Sequence, residues 1–112
     1  MTKIGDFYPG TTKAWSMTIT LNGAIPDIRA DTVTFRMKAD PDVSDAQASL
    51  TKAADVATSG LSGIALFTLL PADTTALAPG PYSCDVVWLR AGGAEYVIYS
   101  SSINLLDRVS DA

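Results

Sequence analysis

The strongest constraint in this 112-residue chain is a period of two. Trp15, Met17, Ile19 and Leu21 alternate with Ser16, Thr18 and Thr20, and Val33, Phe35 and Met37 alternate with Thr34, Arg36 and Lys38. Tyr82, Cys84, Val86 and Trp88 are spaced in the same way by Ser83, Asp85 and Val87. Successive side chains of a strand point to opposite faces, so each segment reads as a strand with one packed face and one wet face. Turn-forming residues stand between these segments: Asn22-Gly23, Pro26-Asp27, Gly60-Leu61-Ser62-Gly63, Ala78-Pro79-Gly80-Pro81 and Gly92-Gly93.

The remaining segments fill out the same architecture. Ile64 to Leu70 is a continuous apolar run, which predicts a strand buried on both faces and central in its sheet. Ala48 to Ala57 is sparser in apolar residues and reads as an edge strand. Pro71 to Leu77 reads as one helical turn crossing between strands. Tyr82 to Leu89 and Tyr96 to Tyr99, joined through Gly92-Gly93, make the best hairpin, and Ser100 to Leu106 extends its second strand. Near the start, Ile4, Phe7 and Tyr8 add a short first strand. About seven strands, with turn signals every 8–12 residues, predict an all-β fold, an antiparallel β-sandwich with one short helical turn. The length predicts a single domain over 1–112, with short flexible ends at 1–8 and 107–112.

Composition narrows the chemistry. The chain has no His, which removes Ser-His and Cys-His nucleophiles, imidazole acid/base work and His-containing zinc sets, so neither a catalytic residue nor a metal or cofactor is expected. A single Cys, Cys84, permits no internal disulfide and suits a chain made in a reducing cytoplasm. Met1 to Asp6 has no apolar signal-peptide region, and no run approaches the roughly 18 apolar residues of a membrane span. With a net charge of −4 and eight scattered Lys and Arg residues, nucleic acid is not an expected partner.

Three features carry both a functional and a plain reading. Asp40-Pro41-Asp42-Val43-Ser44-Asp45 is the densest acidic cluster, yet an EF-hand loop would need Gly at Asp45 and Glu at Thr51, so it reads as a solvated loop. Cys84 shares a face with Tyr82, Val86 and Trp88 and reads as buried filler. Asp85 points the other way, and in so apolar a strand its carboxylate needs either solvent or a hydrogen-bonding partner.

Leu77 to Cys84 is similar to the immunoglobulin tyrosine corner, with Tyr82 two residues before Cys84. It departs in having no earlier Cys to pair with Cys84, and Trp15 lies too early to be the usual core Trp. Gly10-Thr11-Thr12-Lys13-Ala14-Trp15, Gly63 to Phe67 leading into Leu70-Pro71-Ala72-Asp73, and Gly80-Pro81-Tyr82-Ser83-Cys84-Asp85-Val86 together resemble more closely a domain of tailed bacteriophages, the amino-terminal domain of the lactococcal phage baseplate upper protein. In that family the last piece resembles Gly-x-Tyr-x-aromatic-Asp-Val, so Gly80, Tyr82 and Asp85 match and Cys84 departs where an aromatic is more usual. The resemblance, spanning Gly10 to Val109, implies an immunoglobulin-like sandwich that docks tail, baseplate or capsid components in a virion and catalyses nothing. Expected partners are other virion proteins and further copies of the chain in a symmetric assembly. Phe7, Tyr8, Tyr96 and Tyr99 are candidate contact residues, with ordinary core packing as the alternative for each. A second reading is a carbohydrate- or receptor-binding module with Trp15, Trp88 and the tyrosines as a stacking platform.

Overall fold

A computed structural model describes residues 5–39 and 49–106. The acidic segment 40–45 and the tail 107–112 lie outside the described residues, as does Ile4 of the expected first strand.

The alternating segments form strands, although the first begins at Lys13 and stops at Thr18, so that Ile19 and Leu21 of its alternating pattern lie beyond it. The strands are β1 (Lys13–Thr18), β2 (Thr32–Lys38), β3 (Leu50–Ala53), β4 (Ile64–Leu69), β5 (Gly80–Leu89) and β6 (Glu95–Leu105), with one helical turn, α1 (Pro71–Thr74). The strands make two antiparallel sheets in a sandwich-like arrangement, β1-β4 and β3-β2-β5-β6. Six strands are present among the described residues where about seven are expected. Phe7 makes only a single parallel bridge to Leu105, because Pro9 and Gly10 turn the chain away toward β1.

Met17 of β1 and Ala65, Phe67 and Leu69 of β4 meet Val33, Phe35 and Met37 of β2 and Tyr82, Cys84, Val86 and Trp88 of β5 in one buried cluster. Half-buried Trp15 packs against this cluster, stacking on Phe67 with ring centroids 5.0 Å apart and meeting Phe35 edge-on at 5.1 Å. Such aromatic pairs contribute about 0.5–1.5 kcal/mol each beyond burial. Asn22 and Gly23, both with positive φ, close the two-residue turn in which Leu21 and Ala24 exchange both backbone hydrogen bonds.

Two expectations need correction. β4 is not central; it lies in the two-stranded sheet, with Ala65, Phe67 and Leu69 buried, Ile64 and Leu66 half-buried and Leu70 exposed. A short apolar run does not by itself distinguish one buried face from two. The strict alternation also fails in the hairpin, where Val87 is buried beside Val86 and Trp88. The register there jumps from Val86↔Tyr99 to Val87↔Val97, leaving Ile98 as the extra residue of a β-bulge, and both Ile98 and Tyr99 pack on the core. β3 does lie at a sheet edge, as expected of the 48–57 segment.

Candidate docking surface

The four aromatic residues proposed as contacts do not form one patch. Phe7 is 6% exposed and belongs to the core. Tyr8, its neighbour, is 45% exposed. Tyr96 is 39% exposed and leans on Trp88 at 5.1 Å, whereas Tyr99 is half-buried against the core. Phe7 bridges Leu105 at one end of β6 and Tyr96 stands near the other, about 30 Å apart at strand rise.

Gly80 opens β5 at φ 140, and two residues on the Tyr82 hydroxyl donates to the Ala78 carbonyl at 2.8 Å. That bond ties the start of the strand to the turn that precedes it. Asp85 lies on the outer face of the larger sheet, opposite Arg36 on β2 and Ser100 on β6. Together with Lys38 and Ser83 these side chains line an open depression. The Asp85 Oδ1 atom is shielded from solvent and has no hydrogen-bond partner among the described residues. Cys84, on the inner face, is buried, and burial pushes its thiol up to about 11, so it is protonated at neutral pH and unsuited to nucleophilic work.

Sequence reasoning missed a polar clamp at the hairpin end. Asp31, whose side chain is 5% exposed, accepts from the Trp88 indole Nε1 at 2.8 Å and from the Ala91 backbone N–H at 2.9 Å. Its Oδ2 also lies 3.8 Å from the Arg90 Nε, and the Arg90 guanidinium sits 5.0 Å above the Trp88 ring. Nothing local marks Asp31, since its partners lie nearly sixty positions away. With Trp88 only 1% exposed and Trp15 packed between Phe35 and Phe67, the two indoles make no open stacking platform.

Three other carboxylates lock loops and are held below their ordinary range. The Arg29 guanidinium beside Asp27, with Nη2 at 2.7 Å from Oδ2, brings that carboxyl to about 2. The Thr58 hydroxyl and backbone N–H lower Asp55. Asp73 is lowered by the Leu70 N–H at 2.7 Å and then by the Lys52 ammonium at 3.1 Å, fastening α1 to β3. All three have folded pKa values below their unfolded ones, so the stability they give is fully present above the usual carboxylate value of 3.8 and is lost as pH falls through the folded values. The melting temperature should therefore hold from pH 7 to about pH 5 and fall progressively between about pH 4 and pH 2. Thermal melts across that range check this, and a flat profile below pH 4 would contradict it.

A sheet edge presents unpaired backbone groups to which a further strand can pair. The far edge of β4 is taken up, with Ile64 donating to Ser59 and Leu66 exchanging hydrogen bonds with Asp55. β3 is only four residues long. β6 is bent by its bulge, and its last turn of backbone is covered by Phe7 and by the Asp6 carboxylate, which accepts from the Asn104 N–H at 3.0 Å. β1 has none of these devices among the described residues. No group of three or more His, Cys, Asp or Glu side chains that could hold a metal ion occurs among the described residues, and no helix there is long and apolar enough to cross a membrane. Compared with known proteins, the chain matches no family model and no curated sequence.

Proposed function

We propose that this chain is a bacteriophage virion structural protein, an immunoglobulin-like sandwich serving as a non-catalytic docking element in the tail, baseplate or capsid. The observation that carries the reading is the corner at the start of β5, where Gly80 opens the strand and the Tyr82 hydroxyl binds the Ala78 carbonyl at 2.8 Å. One of the three stretches that carry the phage resemblance, Gly80 to Val86, thus lies in β5, the strand that joins β2 to β6. A tyrosine at that corner, two sheets of order β1-β4 and β3-β2-β5-β6, and long-range strand pairing all favour an immunoglobulin-like topology. Docking is the chemistry such a surface offers: an edge strand free to pair, and exposed apolar residues such as Val97 at 63%.

Quantitative mass spectrometry of purified virions, separated into heads and tails, tests the reading. The expected result is the chain in one fraction, at a copy number near that of the major capsid protein for a decoration role or at a few dozen or fewer for a tail adaptor. Absence from both fractions would overturn it.

A further inference from the structure

We infer that the free edge of β1 is a homodimer interface, at which a second copy of the chain adds its own β1 antiparallel to the first. This rests on the docking reading and deepens it by naming the surface and the partner. The pairing of β1 with β4 fixes which backbone groups are available. The Ile19 N–H donates to the Gly63 carbonyl at 2.8 Å, so in the continuous register from Thr18↔Ile64 to Lys13↔Leu69 the odd-numbered residues bond to β4. The N–H and C=O groups of Ala14, Ser16 and Thr18 point away from β4 and have no partner among the described residues.

The side chains at those positions decide the occupant. Ala14, Ser16 and Thr18 are all exposed, small and uncharged. A two-fold axis through Ser16 pairs Ala14 with Thr18 of the second copy, Ser16 with its counterpart, and Thr18 with Ala14. Each of those pairs exchanges two backbone hydrogen bonds, and no like charges meet. Beyond Lys13, which opens β1 on the Trp15 face, the edge bears neither Pro, bulge nor charge, and natural proteins blunt edges that are not used. The same pairing brings Trp15 of the second copy opposite Met17, beside the crevice that Met17, Thr18, Ile19, Thr20 and Ile98 line at the end of β1.

The test is sedimentation of the purified full chain over a concentration series, with backbone hydrogen exchange read at the low and high ends. The expected result is a reversible dimer whose formation slows exchange at Ala14, Ser16 and Thr18. Ser16→Lys sets two ammonium groups across the axis and should weaken association by roughly tenfold or more, since opposed like charges are costly. Its circular dichroism and melting temperature as a monomer should be unchanged, because Ser16 is exposed. Thr68→Lys, exposed but on β4, should leave the dimer intact. A monomer at all concentrations, a dimer indifferent to Ser16→Lys, or one without protection at those amides would each overturn the inference, including the case in which β1 pairs with a different protein's strand. Because the dimer is measured on the isolated chain, its failure is separable from absence of the chain from virions, which would sink the docking reading alone.

Discussion

Trp88→Ala is expected to lower the unfolding free energy by about 4–5 kcal/mol, the largest loss we anticipate from a single side chain. Trp88 is among the largest fully buried side chains, and three kinds of contact converge on it. Its ring fills the inner face of β5, Tyr96 leans on it at 5.1 Å and the Arg90 guanidinium covers it at 5.0 Å. Its Nε1 donates to Asp31 at 2.8 Å. Truncation leaves a cavity and also strips a hydrogen bond from a carboxylate that is almost wholly enclosed. Trp88→Phe separates the two effects: it keeps most of the ring but not the donor, and should cost about 1–3 kcal/mol. Urea unfolding followed by far-ultraviolet circular dichroism reads both variants. A loss under about 1 kcal/mol for Trp88→Ala would mean that the indole is not packed as described. Since domains of this kind are stable by only about 5–15 kcal/mol, the alanine variant should be close to unfolding at body temperature.

Trp88 also marks how far the sequence could be read. Its burial follows from alternation alone, as does that of Met17, Phe35, Met37 and Cys84, because a period of two assigns faces without knowledge of the partner strand. The clamp around it does not follow, because Asp31 reaches Trp88 only once β2 and β5 have paired. The bulge at Ile98 was hidden for a related reason: both Val86-Val87 and Val97-Ile98 are apolar on every position, so the pattern carries no record of the skipped residue. Docking residues were legible least of all. Aromatic type singled out Phe7, which proves to be core, while the open edge at Ala14, Ser16 and Thr18 carries small side chains that no search for anchors would select. Its signal is backbone direction, which depends on the register with β4.

Gly63→Ala should be the second most damaging change, at about 2–4 kcal/mol, and it acts on that same register. Gly63 has φ 72, in the left-handed region that costs an alanine about 1 kcal/mol or more. A Cβ there would also stand 2.9 Å from the Ile19 carbonyl oxygen and 2.7 Å from the Ile25 Cγ2. The exposed Ile25 side chain can swing away, but the Ile19 carbonyl belongs to the backbone just beyond β1. Relief of the clash therefore requires moving Ile19 from Gly63 and loosening the 2.8 Å hydrogen bond that begins the pairing of β1 with β4. Gly93→Ala supplies the comparison, since Gly93 also has positive φ but nothing lies within 4 Å of its Cβ position, so only conformational strain of about 1–2 kcal/mol applies. The difference between the two variants, measured by urea unfolding, isolates the close approach at Gly63; equal losses would mean that the contact is absent. Gly63→Ala should in addition speed amide exchange along β1, and it should weaken the proposed dimer without touching a residue on the free edge, because a strand that no longer sits firmly on β4 cannot present Ala14, Ser16 and Thr18 in one line.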